Sequence, residues 1–168
     1  MIIFEERLAE IVALIPDFEI NGNSFKINYS WGTIDELNQF LTTADAQQKY
    51  PLIWLTIDPN RIDLRENTAT RNATILIAIR SEITELNPVI FNTEFKEVLN
   101  PITRNFIKAV TQSNISKFTN DRDIQMESLP KFSVNSNEKQ VIDIWNVNKL
   151  VAGIEINSNK CLKKTINF

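Results

Sequence analysis

Apolar residues recur at intervals of three and four positions at the start of the chain. This spacing places them on one side of a helix, so it predicts an amphipathic helix with one buried stripe. Pro16 follows the pattern and predicts the end of that helix. The stripe consists of Phe4, Leu8, Ile11, Val12 and Ile15.

The next segments predict a strand and a second helix. A turn at Asn21-Gly22-Asn23 is followed by apolar positions that alternate with polar ones, which indicates a half-buried strand. Thr33 and Glu36 then have the spacing of a capping box, in which a hydroxyl and a carboxylate each accept a hydrogen bond from a backbone N–H at a helix start. The strand positions are Phe25, Ile27 and Tyr29, and the helix face is Ile34, Leu37, Phe40, Leu41 and Ala44.

Two apolar runs, YPLIWLTI and ATILIAIR, predict the centre of a β-sheet. Both alternating faces of these runs are apolar, so we expect the strands to be covered on both sides, with helices over at least one face. A polar stretch at about residues 58–72 separates them. Because a structureless loop of that length is uncommon in a compact domain, we interpret this stretch as an extended β-hairpin arm.

A long apolar stripe at helical spacing predicts a helix that contains Pro101. Because proline lacks a backbone donor and disfavours helical geometry at the residue before it, the helix either kinks there or restarts with Asn100 as its cap. DIQMESL and the segment that begins VIDIW predict two or three further strands. In the last of these, Ala152, Ile154 and Ile156 alternate with more polar positions, which predicts one buried and one wet face. The helical stripe is Phe95, Val98, Leu99, Ile102, Phe106, Ala109 and Val110.

Length and composition predict one α+β domain over residues 1–168, with helices packed on an antiparallel or mixed β-sheet. A chain of 168 residues can bury roughly 70% of its unfolded surface in one core. We expect the arm at about residues 58–72 and a polar C-terminal tail at about 158–168. The acidic N-terminal segment does not fit a signal peptide, and the apolar runs fall short of the ~20 residues that span a bilayer, so we expect no membrane association.

The residue types that the chain lacks exclude several kinds of catalytic and binding site. The chain has no histidine, which removes the commonest general base and the commonest metal ligand. Its three glycines form no phosphate-binding loop, and the single Cys161 excludes an intrachain disulfide and a zinc site built from cysteines. A net charge of -3 offers no basic surface for nucleic acid. We therefore expect no cofactor.

Carboxylates keep one enzymatic alternative open. Acidic residues in polar segments can hold Mg²⁺ as nuclease sites do, and Asp121 and Asp123 are spaced as a pair. Acidic loop residues are, however, far more often a solvated surface than a metal site. The full set of acidic candidates is Asp58, Asp63, Glu66, Asp121, Asp123 and Glu127.

Two groups of residues are candidates for a subunit interface. In the predicted arm, positive and negative side chains alternate, and mixed signs favour a partner surface or solvent over a nucleic-acid groove. Among the tryptophans, Trp54 lies inside an apolar strand and is predicted to be core, whereas Trp31 and Trp145 border polar turns and are interface candidates. The arm candidates are Arg61, Asp63, Arg65, Glu66 and Arg71.

Several segments, taken in order, resemble a family of phage neck and tail proteins. They are YPLIWLTIDP, RNATILIAI, FKEVLNPITRNFIKAV and VNKLVAGIEINSNKCL. A YPLIWL strand, a helix with an internal proline and a closing strand form a layout similar to that of proteins from viruses of Bacteroidetes hosts, crAss-like phages included. The resemblance covers roughly residues 1–165.

The resemblance implies the fold and the role of tail terminator, tail completion and head-tail connector proteins. Those are structural virion components without enzymatic activity that form rings around the DNA channel. For this chain it implies a homo-oligomeric ring, hexameric or dodecameric, that contacts other neck and tail proteins and the portal-associated proteins. DNA would pass through the lumen without sequence-specific binding. The protein would be made in the host cytoplasm and would reside in the neck or tail of the virion.

Three functional classes are therefore expected to be distinguishable by experiment. A structural ring subunit predicts symmetric oligomers and no turnover. A carboxylate-metal-dependent nuclease predicts Mg²⁺-dependent cleavage that is lost when Asp121 or Asp123 is changed. A phage adaptor that binds a host protein predicts a monomer with one exposed apolar patch around Trp31 or Trp145.

Overall fold

A seven-stranded β-sheet with helices on both faces forms the centre of the described fold. The protein is described by a computed structural model that covers residues 4–43, 49–57, 63–65, 67–81, 84–120, 124–132 and 145–168. A separate two-stranded hairpin adjoins the sheet. The combination of helices with a mixed, mainly antiparallel sheet in a single compact domain confirms the predicted α+β class.

The elements follow one another along the chain with short connections where the chain is described. The helices are α1 (Phe4–Val12), α2 (Ile34–Thr43), α3 (Asn87–Ile90), a π-helix (Phe91–Leu99) and α4 (Asn100–Gln112). The strands are β1 (Phe18–Ile20), β2 (Asn23–Phe25), β3 (Asn28–Gly32), β4 (Leu52–Thr56), β5 (Asp63–Arg65), β6 (Thr68–Arg80), β7 (Ser116–Phe118), β8 (Gln125–Leu129) and β9 (Trp145–Asn157). Because α3, the π-helix and α4 are contiguous, we refer to the three together as the long helix.

Two strands of 13 residues each, β6 and β9, are the backbone of the sheet. They pair antiparallel over their whole length, with Thr68 opposite Asn157 and Arg80 opposite Trp145. β4 and β5 pair with the other edge of β6, while β7 and β8 pair with the other edge of β9. β3 pairs in parallel with β4, and α2 provides the crossover that a parallel pair requires.

The larger core lies between one face of the sheet and α1 and the long helix. The spacing of three and four predicted for both helices is confirmed, because Phe4, Leu8, Ile11 and Val12 of α1 are all buried there. The long helix adds Phe95, Val98, Leu99, Ile102, Phe106, Ala109 and Val110, and the sheet adds Ile53, Leu55, Ile75, Ile77, Leu150, Ile154 and Ile156.

A smaller core lies on the opposite face of the sheet, under α2. Leu37 and Leu41 of α2 pack there with Leu52 and Trp54 of β4. The predicted coverage of YPLIWLTI on both faces is therefore confirmed, and so is the assignment of Trp54 to the core. The smaller core covers only part of this face of the sheet. In the C-terminal half of β9, alternate residues remain half-buried, which agrees with the predicted alternation: Val151, Gly153, Glu155 and Asn157.

The capping box predicted at α2 is present. The Thr33 N–H donates to Glu36 Oε2 at 2.6 Å, and the Glu36 N–H donates to Thr33 Oγ1 at 3.3 Å. Each side chain thereby satisfies one backbone donor that the first helical turn leaves without a partner.

The predicted arm at residues 58–72 is corrected at its C-terminal end. The hairpin exists, because Asp63–Arg65 pairs antiparallel with residues 68–70. Its second strand is, however, the start of β6, which also pairs with β9 and buries Ala69. Thr68, Thr70 and Asn72 lie on the less covered face of the sheet, whereas Arg71 lies on the face that α1 covers, so a polar sequence coincides with a central strand. Residues 58–62 and 66 lie outside the described residues.

Pro101 is accommodated by a change of helical register. Asn100 has helical dihedral angles and is not an N-cap, and its N–H donates to the Phe95 carbonyl five residues earlier. The π-helix ends there, and Pro101 falls in the first turn of α4, where a missing N–H is tolerated. The predicted cap at Asn100 is therefore wrong: its side chain instead accepts a hydrogen bond from Asn148 at 3.0 Å.

The predicted polar tail, residues 158–168, runs back along α4. The Lys163 N–H donates to the Ser113 carbonyl at 2.9 Å, and Asn114 Nδ2 donates to the Cys161 carbonyl at 3.3 Å. Leu162 and Ile166 pack against the larger core. These contacts attach the segment to the domain.

Candidate subunit interface

Trp31 is an exposed aromatic residue on an edge strand of the sheet. It lies in β3, which pairs with β4 alone among the described strands, and 43% of its surface is accessible. The next residue, Gly32, has a φ of 152°, and a side chain there would lie 2.6 Å from Glu36 Oε2. The Gly32 carbonyl accepts hydrogen bonds from Trp54 Nε1 at 3.2 Å and from the Ile57 N–H at 2.9 Å. These contacts hold the backbone that presents Trp31.

A second exposed apolar site lies at the start of the long helix. Leu86, Val89 and Phe91 are 72%, 48% and 41% exposed, and we call these three residues the helix-start patch. Ile90, between them, is fully buried and anchors the turn in the larger core. Phe91 stacks on Phe95 with ring centroids 4.6 Å apart. Leu86 and Val89, three positions apart, are neighbours on the surface, whereas Val89 and Phe91 do not face each other. Exposed apolar residues occur at interaction sites.

Trp31 and the helix-start patch occupy different parts of the surface. Trp31 is opposite Leu55, which is opposite Ile75 of β6. The helix-start patch follows the end of β6 at Arg80, which is about 17 Å further along the strand direction. Trp31 and the helix-start patch are therefore distinct apolar sites, and Phe25, Met126 and Phe168 are exposed as well.

Arg71 was expected in the arm as an interface residue, and the structure corrects this. It is 3% exposed and lies in β6 on the face that α1 covers. Its Nη1 is 2.6 Å from Glu5 Oε1, and Tyr29 Oη donates to the Glu5 backbone carbonyl at 3.1 Å. Burial raises the pKa of Tyr29, the Glu5 charge raises it further, and Arg71 lowers it. Arg71 therefore joins α1 to the sheet inside one molecule.

Trp145 was also expected at an interface, and the structure corrects this prediction as well. It is fully buried at the start of β9, opposite Arg80, in the smaller core under α2. Its Nε1 donates to Tyr50 Oη, and the two rings meet edge to face at 6.3 Å. The polar sequence near Trp145 gave no indication of this tertiary cover.

The remaining arm candidates stay predictions. Arg65 is exposed at the end of β5. The backbone of Asp63 pairs with Thr70, but its side chain is outside the described residues. Arg61 and Glu66 also lie outside the described residues.

A polar cluster beside the helix-start patch was not predicted from the sequence. Asn146 Nδ2 donates to Ser81 Oγ at 2.8 Å and to Glu94 Oε2, and its Oδ1 accepts the Lys131 N–H at 3.0 Å. Burial raises the pKa of Glu94, the hydrogen bond from Asn146 lowers it, and the charge of Glu85 raises it. The signal in the sequence is the polar alternation inside the apolar strand WNVNKL, which places asparagines on a buried face.

A second polar group continues from this cluster along β9. Asn148 is fully buried, and its Nδ2 donates to Asn100 Oδ1 and Thr103 Oγ1, both at 3.0 Å. Ser128 Oγ donates to Asn148 Oδ1 at 2.8 Å. These satisfied bonds connect β8, β9 and the long helix, so they specify one packing of the helix on the sheet.

The surface depression near the end of α4 is small and polar. It has a volume of about 190 Å³, below the ~300 Å³ at which ligand pockets begin. Lys117 and Glu155, two of its lining residues, form an ion pair at 3.0 Å. Its other lining residues are Thr111, Asn114, Ile115, Ser116, Asn157 and Lys160.

The described residues contain neither a cluster of metal ligands nor a membrane-spanning helix. Within them, no three acidic, histidine or cysteine side chains come together as a metal site would need. Asp121 and Asp123, which carried the nuclease alternative, lie outside the described residues. No helix in the described part of the chain is long and apolar enough to cross a bilayer.

Comparison with known proteins gives no match, either to the models of known families or to a curated protein. The fold and the surface define a class: an α+β domain with a central mixed sheet and several exposed apolar residues, Trp31 and the helix-start patch among them. The family resemblance rests on the sequence motifs.

Proposed function

We propose that this protein is a structural subunit of a phage neck or tail ring, a tail terminator or head-tail connector that joins the tail to the portal around the DNA channel. The motif resemblance set out above supports the assignment. The observation that carries it beyond the resemblance is the pair of separate apolar sites, Trp31 and the helix-start patch.

Two different sites suit a ring because of symmetry. In a cyclic assembly each subunit contacts its neighbours through two different patches, one facing forward and one facing backward. A single patch would suit a two-fold dimer instead. Trp31 provides a rigid aromatic anchor, and Leu86, Val89 and Phe91 provide an apolar surface of comparable character on another part of the domain.

The charge of the chain suits the passage of DNA through the ring. A net charge of -3 gives the subunit no net attraction for the phosphates of DNA in the lumen. The proposed role is therefore structural and needs neither turnover nor a cofactor.

Oligomeric state tests the proposal. We would measure the mass of the purified protein by light scattering, alone and with its portal complex, and image the assemblies by electron microscopy. Rings are expected for the unaltered protein, whereas Trp31→Ala and Leu86→Ser each leave folded monomers. Phe25→Ala, which removes another exposed aromatic ring, is the matched control and keeps the rings. A protein that stays monomeric with the portal present, or that is missing from the neck and tail of virions, contradicts the proposal.

A monomeric phage adaptor that binds a host protein is the second candidate, because the exposure of Trp31 suits it as well. It predicts that Trp31→Ala abolishes binding to a host protein while Leu86→Ser has no effect. Mg²⁺-dependent cleavage of DNA that is lost on changing Asp121 or Asp123 would replace both candidates with the nuclease.

A further inference from the structure

Positive side chains are concentrated in two segments of the chain, residues 100–118 and residues 158–168. Together these segments hold six of the 18 lysines and arginines and none of the 21 acidic residues, so the remainder has twelve cations against 21 anions. The net charge of -3, from which no basic surface was expected, conceals this separation. We call the six residues the basic face: Arg104, Lys108, Lys117, Lys160, Lys163 and Lys164.

The tertiary structure places the two segments side by side. Asn114 Nδ2 donates to the Cys161 carbonyl at 3.3 Å, and Lys108 Nζ donates to the Asn167 carbonyl at 3.5 Å. Residues 158–168 therefore run antiparallel to α4, and their lysines lie along the same surface as those of the helix.

The basic face extends over a length that several phosphates can contact. From Arg104 to the end of α4 at Gln112 it covers about 12 Å of helix axis, at 1.5 Å per residue. It then continues into the depression near the end of α4, which Lys117 and Lys160 both line. Because duplex DNA carries one negative charge per ~1.7 Å of its axis, a surface of this length meets several phosphates at once.

Most cations of the basic face have no acidic partner. Among the ion pairs of the described residues, the one that involves this face joins Lys117 to Glu155 at 3.0 Å. Arg104, Lys163 and Lys164 are exposed. Like charges on one surface repel one another, and anions in contact with them relieve that repulsion.

We propose that the basic face binds the phosphates of double-stranded DNA, independently of base sequence. Neutralising phosphates with lysine and arginine releases counterions from the DNA, which is the source of sequence-independent affinity. Salt screens exposed charges beyond about 8–10 Å, so a phosphate in contact with this face responds to its cations more than to the acidic remainder of the domain. Local binding is therefore compatible with a chain that has no net attraction for DNA.

The composition of the basic face suits phosphates better than an acidic protein surface. Lysine is depleted at protein–protein interfaces, where aromatic side chains are enriched, and the exposed aromatic residue of these two segments is Phe168, at the far end. Exposed hydroxyl and amide side chains, which donate to phosphate oxygens, accompany the cations. They are Thr111, Gln112, Asn114, Asn159, Thr165 and Asn167.

Fluorescence anisotropy with a short labelled DNA duplex of random sequence tests the proposal over a range of salt concentrations. The unaltered protein should bind with an affinity that falls steeply as salt rises. Lys163→Gln combined with Lys164→Gln should weaken binding about tenfold and reduce the slope of log affinity against log salt by about 2, because two phosphate contacts are lost. The fold is retained, since the bond to the Ser113 carbonyl comes from the Lys163 backbone N–H.

Lys26→Gln combined with Arg80→Gln is the matched control. Both residues are exposed and lie outside the basic face, and the pair makes the same change in net charge. The control should keep the affinity and the salt slope of the unaltered protein. Equal losses in the two double variants would assign the effect to net charge and overturn the proposal, as would an unaltered protein that does not bind DNA at low salt.

Light scattering on the same samples separates this proposal from the ring assignment. A single chain carries the whole basic face, so the Lys163→Gln and Lys164→Gln variant should lose DNA affinity and keep the oligomeric state of the unaltered protein. A variant that loses assembly but keeps its affinity for DNA overturns the proposal, because the face would then belong to a protein partner.

Discussion

Arg71 of β6 and Glu5 of α1 form an ion pair at 2.6 Å whose guanidinium side chain is only 2% exposed. The pair connects the first helix to the centre of the sheet across the larger core. A buried charge that loses its partner is more costly than an exposed one, so this contact holds α1 in one position.

We expect Arg71→Ala to lower the free energy of unfolding by about 3 kcal/mol, because it leaves the largely buried Glu5 carboxylate without its cation. Urea denaturation measures the change. Arg7→Ala is the matched control: it breaks the exposed Arg7–Glu10 pair and should cost less than about 1 kcal/mol. Equal decreases in the free energy of unfolding for the two variants would show that the buried ion pair stabilises the fold no more than the exposed one.

The capping box gives a prediction for α2. Thr33→Ala removes the hydroxyl that accepts the Glu36 N–H and should cost about 1 kcal/mol. Thr43→Ala removes a hydroxyl near the other end of the helix, where it bonds to the Gln39 carbonyl, and should change stability by less than about 0.5 kcal/mol. Thermal unfolding of both variants checks the difference, and a cap without effect would appear as two equal melting temperatures.

The raised pKa of Glu94 predicts how the free energy of unfolding depends on pH. Its pKa is raised in the folded state, so the fold holds a proton that the unfolded chain releases. This contribution is complete at pH values below the ordinary value of about 4.3, and it is lost as the pH rises through the folded pKa. Relative to Glu94→Gln, the unaltered protein should therefore become less stable as the pH rises above about 4.3. Urea midpoints at each pH measure the gap, and a gap that stays constant argues against a raised pKa.

Adding a side chain at Gly153 is predicted to disturb the packing around β9. A methyl group there would lie 2.1 Å from Thr119 Oγ1 and 3.3 Å from Asn72 Oδ1, so Gly153→Ala should cost about 1–3 kcal/mol. Combining it with Thr119→Ala should recover most of that loss, because the nearest atom is then removed. A double-mutant cycle by denaturation measures the coupling, and additive effects would show that the clash is relieved elsewhere.

Some residues were placed well by sequence alone, and others were not. The exposure of Trp31 and the burial of Trp54 agree with their sequence context, because one borders a polar turn and the other lies inside an apolar strand. Trp145 was predicted to border a polar turn too, yet α2 covers it from a distant part of the chain. Short β7 gave little periodic signal within its three residues and was missed.

The candidate site was predictable only in part, because the exposure of a residue depends on segments that are distant in the chain. Trp31 was identified, but the helix-start patch was not, because Leu86 and Val89 resemble the first positions of a buried helical stripe. The Glu94–Asn146 contact joins residues 52 positions apart and has no local pattern.

The sequence by itself determined the local features of this protein: the amphipathic stripes, the cap at Thr33 and the alternation along β9. These depend on neighbours a few residues away, so periodicity and side-chain chemistry are enough to specify them. Only the tertiary structure decided that Arg71 and Trp145 are buried and that Asn146 meets Glu94. Those outcomes depend on the pairing of β6 with β9 and on which helix covers each face of the sheet, and both join segments that are far apart in the chain.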